Sequence, residues 1–339
     1  MTAATARRAL PGLFLAILFA GNAVGATPGL APVEVRAIPI PVFLPGSRQT
    51  RFGALEYLGG IELNSRDPEF GSWSGLDFGA DGRIYSIADT GLWLSARLVE
   101  DAAGHLTGVT DTKLGAMRID GGRLPQKKDE ADAEGLRIRP DAGGDTALVS
   151  FEQTRAVRVY SGPDFSAAAP TRIKLPPFVK DLRRNQGLEG MTLPPPESPL
   201  AGSVVPIAER SLDADGNHRG FIVGGPQTGT FSLRRSDDFD VSDAAFLPDG
   251  DLLVLERKFS FAAGVAIRIR RIAGAAIRPG ALLDGPVLLV ADSHYQIDNM
   301  EGLAVRTTAD GKTLLTLISD DNNSIFQRTL LLQFALATP

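Results

Sequence analysis

The sequence predicts an all-β protein, a β-propeller built from four-stranded blades. Three observations predict it. One hairpin motif recurs five times, each recurrence is filled with short strand-like runs, and no segment holds helical periodicity over three or four turns.

The motif is clearest at Ser74, "SGLDFGADGRIYSIADTG", two short runs about an Asp-Gly turn with an acid at the end. It returns as "EGLRIRPDAGGDTALVSFEQT" from Glu134, "EGMTLPPPESPLAGSVVPIAER" from Glu189, "DAAFLPDGDLLVLERK" from Asp243 and "EGLAVRTTADGKTLLTLISDD" from Glu301. Counted at Gly75, Gly135, Gly190, Ala244 and Gly302, the spacings are 60, 55, 54 and 58 residues. A repeat of that length made of short strands reads as a propeller. Each unit supplies about four runs, as in Leu136–Arg139, Ala147–Phe151, Ala156–Tyr160 and Thr171–Leu175. Asp81-Gly82, Asp249-Gly250 and Asp310-Gly311 mark hairpin turns. A β-sandwich is the alternative, but it has no reason to repeat one hairpin five times.

The last unit ends after "RTLLLQFAL", its third strand, while "FGALEYLGGIEL" (Phe52 to Leu63) precedes the first unit without a blade of its own. An N-terminal strand completing the last blade would close the ring and leave no open sheet edge. This gives five blades. The Pro-rich residues 27–50 leave a sixth open, and residues 51–339 read as one propeller domain without a linker.

At the N-terminus, Arg7 and Arg8 precede an apolar stretch from Leu10 to Ala20 and the small-residue exit Val24-Gly25-Ala26. Residues 1–26 therefore read as a cleavable signal peptide, with a periplasmic or secreted product. The adjacent arginines permit the twin-arginine route. The apolar stretch is well short of the roughly 20 residues a bilayer span needs, and no later run is long enough either. Cleavage removes two arginines and no acid, taking the net charge from −5 to −7. That disfavours nucleic acid, whose affinity rests on Lys and Arg at phosphates. With no Cys, thiolate metal sites, cysteine nucleophiles and disulfides are excluded. His105, His218 and His294 are too scattered for a ligand set and read as surface or turn residues. There is no Gly-x-Ser-x-Gly, and "GGPQTGTF" lacks the Lys-Ser/Thr and helix of a phosphate loop.

Chemistry gathers at one end of the hairpins. The start of each first strand lies beside the end of the second, opposite the Asp-Gly turn. Residues starting the first strands are Ser74, Glu134, Glu189, Asp243 and Glu301, and residues ending the second are Asp89, Glu152, Glu209, Glu256 and Asp320. The first strands of a propeller line its channel, so this pattern predicts nine carboxylates around one mouth. Like charges so placed repel and raise one another's pKa values unless something positive compensates. Arg210, Arg257 and Lys258 can pair across the ring, and Ca²⁺, which takes six to eight oxygens, compensates better. Asp321, Asn322 and Gln153 offer further oxygens. The competing reading is structural, one acid per blade holding backbone N–H groups between strands.

Together, "SGLDF…DGRIYSIADTG", "DAEGLRI", "LEGM", "FDVSDAAFLPDGDLLVLER" and "DNMEGLAV…LISDDN" resemble the bacterial family described as esterase-like activity of phytase, from about Tyr57 to Leu336. The resemblance implies a propeller related to the calcium-dependent phytases, which are six-bladed, exported and hydrolyse phosphate monoesters over an acidic mouth. It covers Asp89, Glu134, Glu152, Glu189, Glu209, Asp243, Glu256, Glu301 and Asp320 as Ca²⁺ ligands. Two departures stand out: five blades rather than six, and no Lys/Arg-rich substrate cluster beyond Arg210, Arg257 and Lys258. The expectation is a monomeric, exported, metal-dependent hydrolase of a small phosphate ester. Glu134, Glu189 and Glu301 are its candidate bases, and Arg210, Arg257 and Lys258 hold phosphoryl oxygens. A lactonase or carboxyl-esterase and a non-catalytic binding propeller are the alternatives.

Overall fold

The computed structural model describes residues 29–177, 179, 182 and 187–337, so the expected signal peptide, residues 1–26, lies outside the described residues. Five antiparallel sheets follow one another along the chain as the blades of a five-bladed β-propeller. Blade 1 holds Trp73–Phe78, Ile84–Ala88, Leu92–Glu100 and Leu106–Ala116. Blade 2 holds Ala133–Asp141, Gly144–Phe151, Ala156–Ser161 and Thr171–Arg172. Blade 3 holds Leu188–Thr192, Ser203–Leu212, His218–Gly224 and Gly229–Leu233, and blade 4 Asp240–Phe246, Leu252–Ser260, Gly264–Ile272 and Val287–Ala291.

Blade 5 closes the ring. Asn299–Thr307, Thr313–Asp320 and Thr329–Leu336 come from the end of the chain, and Leu55–Ser65 pairs antiparallel with Thr329–Leu336 from the beginning. Within that pairing Ile61 lies opposite Leu331, and both are fully buried. Among the described residues the Pro-rich segment makes no sixth blade. Ala31–Pro32 adds to the outer edge of blade 1 and Val35–Ile40 to that of blade 5, where proline's missing N–H faces outward at no cost.

The repeated glycines are explained where blades meet. A Cβ on Gly75 would sit 2.8 Å from Glu134 O of blade 2, one on Gly135 2.7 Å from Glu189 O of blade 3, and one on Gly302 3.1 Å from Leu76 N of blade 1. The innermost strands therefore press backbone against backbone around the axis, which only glycine allows. The apolar side chains fill the spaces between blades, for example Trp93 against Tyr160 at 5.3 Å.

Strand pairing corrects one register. Gly75, Gly190 and Gly302 lie opposite Ile87, Ile207 and Ile318, and the residue opposite Leu255 in blade 4 is Asp243, not Ala244. Each of these four inner strands carries a bulge just before this point, which leaves Ser74, Glu189, Ser242 and Glu301 as extra residues. Blade 4 is thus slipped by one residue relative to the sequence alignment. Its strand start is Ser242 and its strand end is Arg257.

Candidate functional site at the propeller mouth

The slip decides which side chains reach the mouth. Ser74, Asp89, Glu134, Glu152, Glu189, Glu209, Arg257, Glu301, Asp320 and Asn322 line a cavity of about 210 Å³ at the end of the channel opposite the Asp-Gly turns. Seven of the nine expected carboxylates are there. Asp243 and Glu256 are not, because a one-residue shift turns a strand side chain to the other face.

Asp243 instead points into the channel. Its Oδ1 accepts from Arg137 Nη2 at 2.8 Å and its Oδ2 from Leu303 N at 2.8 Å. Glu256 is fully buried between Arg268 Nε at 2.7 Å and Arg270 Nη2 at 2.6 Å. Arg270 also reaches Asp284 at 2.8 Å and Arg268 reaches Asp237 at 3.2 Å. We expect Glu256→Ala to cost about 3 kcal/mol in urea unfolding, since two buried guanidiniums lose their shared carboxylate but keep one acid each.

Of the three expected cations, only Arg257 lines the cavity. Its Nη2 lies 3.1 Å from Glu301 Oε1 and 3.6 Å from Glu209 Oε1, and its Nη1 donates to Asn299 Oδ1 at 2.8 Å. Burial opposes its charge, but Glu301, Glu209, Glu189 and Asp320 outweigh burial and raise its pKa. Arg210 is drawn aside to Asp240 Oδ2 at 2.6 Å, and Lys258 places Nζ 4.5 Å over the Phe239 ring. Neither lines the cavity.

Two groups escaped sequence reasoning. Asp132 ends the short helix Lys128–Ala131 just before the inner strand of blade 2, and its carboxylate joins Glu134 and Glu152 with oxygens within 4.8 Å of one another. A second such group is Glu152, Glu189 and Glu209, sharing Glu152 with the first. Lys128, from the short helix Lys128–Ala131, donates to Asp89 Oδ2 at 2.7 Å and lies 3.6 Å from Asp132 Oδ1. Its only advance signal was its nearness to Glu134 in sequence. Of the histidines, His105 and His294 sit beside Asp101 and Asp292 on the surface. His218 is fully buried, against expectation, with Nδ1 2.5 Å from Glu209 O behind the mouth.

The carboxylates respond to this crowding. Burial, then Asp132 and Glu301, push Glu134 well above the usual range. Burial, then Glu134 and Glu209, do the same to Glu189. Glu209 is pushed up to about 7 by burial although Arg257 pulls it down. Asp320 also reaches about 7, through burial and then Glu301 and Asp89, against the Asn322 N–H that donates to it at 2.7 Å. Glu152 rises by burial while accepting from Gly187 N at 3.1 Å.

Such a donor set contains oxygen only and is far too acidic for Arg257 and Lys128 to balance. It also includes Asp89 Oδ1, a buried oxygen with no hydrogen-bond partner. It fits a hard divalent cation.

The model of the family described as Phytase-like, esterase-like activity of phytase, matches residues 68–323. The chain belongs to that family. No curated protein matches it. Among solved structures, this phytase-like chain is similar to the Trichoderma reesei carbohydrate-active enzyme of family AA12 in its calcium structure. That match has 13% identity, 91% of this chain, 98% of that chain and a TM-score of 0.38. It is similar also to the PQQ-bound aldose sugar dehydrogenase of Streptomyces coelicolor, with 12% identity, 89% and 99% coverage and a TM-score of 0.39. The α-L-arabinofuranosidase of Lactobacillus brevis gives 11% identity, 79% and 92% coverage and a TM-score of 0.43. Likenesses this distant assign no chemistry to the phytase-like mouth.

Proposed function

We propose that the mouth binds Ca²⁺ and that the protein is an exported hydrolase of ester bonds, with phosphate monoesters as its substrate class. The observation that carries this reading is the pair of three-carboxylate groups sharing Glu152. Family membership supports the esterase-like, hydrolytic part of it. Asp132, Glu134, Glu152, Glu189 and Glu209 would hold the cation, with Asp89, Glu301 and Asp320 completing the ring. When bound, Ca²⁺ neutralises phosphate charge and acidifies water.

The chain's own residues do the rest. Arg257, fixed by Glu209, Glu301 and Asn299, presents a guanidinium at the cavity wall for phosphoryl oxygens. Glu134 and Glu189, whose carboxyls burial and neighbouring acids push well above the usual range, are the candidate bases, and Glu301 is the third. Ser74 stands where blades 2, 3 and 5 carry Glu134, Glu189 and Glu301, so blade 1 contributes Asp89 but no second carboxylate to the cavity. The leader-like residues 1–26 support export, and no helix among the described residues is long and apolar enough to cross a membrane.

Calorimetric titration of Ca²⁺ into EDTA-treated protein should show binding that is lost in Glu152→Gln, the shared ligand. Absence of Ca²⁺ binding in the wild type would overturn the metal reading. With Ca²⁺ present, p-nitrophenyl phosphate and phytate should be turned over in preference to p-nitrophenyl acetate and simple lactones. The reverse preference would make it a carboxyl-esterase or lactonase, and no turnover of any would leave a binding propeller.

A further inference from the structure

Mouth-side hairpins differ sharply between blades. In blades 1 and 2 the second and third strands are joined by tight turns, Asp89–Gly91 and Glu152–Arg155. In blade 3 the connection carries Asp213, Asp215 and Asn217. Blades 4 and 5, which are neighbours, extend apolar tips instead. Phe259 and Phe261 cap the blade 4 hairpin at 63% and 101% exposure, and Ile325 and Phe326 cap the blade 5 loop at 93% and 89%. Among the described residues these are the most exposed large apolar side chains.

Both tips are held by turns. Ala263 N donates to Ser260 Oγ at 3.1 Å in blade 4, and Ser324 N to Asp321 O at 2.7 Å and Gln327 N to Ser324 O at 3.1 Å in blade 5. The Phe259 and Phe261 rings meet edge to face at 5.4 Å. Phe259 and Phe261 in contact, with Ile325 and Phe326 on the neighbouring tip, expose grouped apolar area of the kind that marks an interaction surface.

We infer that the mouth face docks on a lipid surface through these two tips. A second protein copy fits poorly, because a stable interface needs on the order of 800 Å² per partner, a broad dry patch rather than four side chains on two separate turns among Ser260, Ser324 and Gln327. Small apolar tips with polar flanks suit shallow insertion to about 5–10 Å, at the boundary of headgroups and acyl chains. Distances agree. Phe261 lies four residues beyond Arg257 and just past the strand end at Ser260, so it stands at most roughly 13 Å beyond Arg257, and insertion to that depth brings the headgroup plane within several ångströms of the mouth. With an acidic chain, attraction comes from the apolar tips and not from charge, so it is independent of the metal reading and of salt. Resting on the ester chemistry proposed for the mouth, the substrate is then an ester presented at a lipid headgroup.

Sedimentation with phosphatidylcholine vesicles tests it. In EDTA the wild type should partition onto vesicles equally in 0.1 M and 0.5 M NaCl. The variant carrying Phe259→Ser, Phe261→Ser, Ile325→Ser and Phe326→Ser should bind at least tenfold more weakly, with an unchanged melting temperature and unchanged Ca²⁺ titration. A Phe261→Trp reporter should shift its emission to the blue on vesicles. Three results would overturn the inference: no partitioning of the wild type, partitioning only onto anionic vesicles with Ca²⁺, or a concentration-dependent dimer in light scattering that the same four changes abolish. Failure of Ca²⁺ binding alone would sink the mouth chemistry and leave the docking result standing.

Discussion

Replacing Arg137 by leucine should lower stability by about 3–5 kcal/mol in urea unfolding. Arg137 rises from the inner strand of blade 2 into the channel and is 5% exposed. Besides Asp243, it donates to Leu303 O at 3.2 Å and Leu76 O at 3.4 Å, and to Leu136 O and Ala244 O. One guanidinium thus ties blades 1, 2, 4 and 5 together at the axis. Leucine replaces its stem but leaves a carboxylate, only 1% exposed, without its counter-ion, along with several carbonyls without a donor. Even beside Arg137, burial holds Asp243 up at about 6. Without the arginine its folded pKa climbs further while the unfolded value stays near 3.9. The folded state then binds more protons than the unfolded one across that window, so the variant loses stability as pH rises from about 4 and is worst at pH 8. Arg137→Leu with Asp243→Ala should recover part of the loss and flatten the pH dependence. An Arg137→Leu protein as stable as the wild type would show that the channel does not depend on this pair.

The second large effect is on the metal-free mouth. Glu209 and Asp320 titrate near 7 in the folded chain, and their unfolded values lie near 4. Raised acid pKa values mean that stability is retained below the unfolded value and falls as pH rises toward 7 and beyond. In EDTA the melting temperature should therefore drop between pH 5 and pH 8, by on the order of 5–10 °C for a loss of a few kcal/mol. Adding Ca²⁺ at pH 8 should reverse most of it, since ligand at about 100 times its Kd contributes about 2.7 kcal/mol. At pH 5, below the values to which Glu209 and Asp320 are raised, the same addition should do less. Equal response to Ca²⁺ at both pH values would mean that the mouth carboxylates are not its ligands.

The sequence by itself determined the blades, the closing strand and the end of the propeller where the acids collect. Strand alternation and Asp-Gly turns are local properties, and a repeat displays them five times. The blade 4 register was legible too. Ser242 to Gly250 matches Ser74 to Gly82 if the Asp-Gly turn is used as the anchor, but aligning on the acids concealed it. Asp132 was not legible, because it caps the short helix before the strand and reaches Glu134 and Glu152 only through that turn. What only the tertiary structure decided is how charges pair across the axis. Arg137 meets Asp243 over 106 residues of chain, Glu256 is consumed by two arginines of its neighbouring strand, and Arg257 becomes the cation that lines the mouth. No local pattern encodes these pairings, because they follow from which blades and neighbouring strands the closed ring sets face to face.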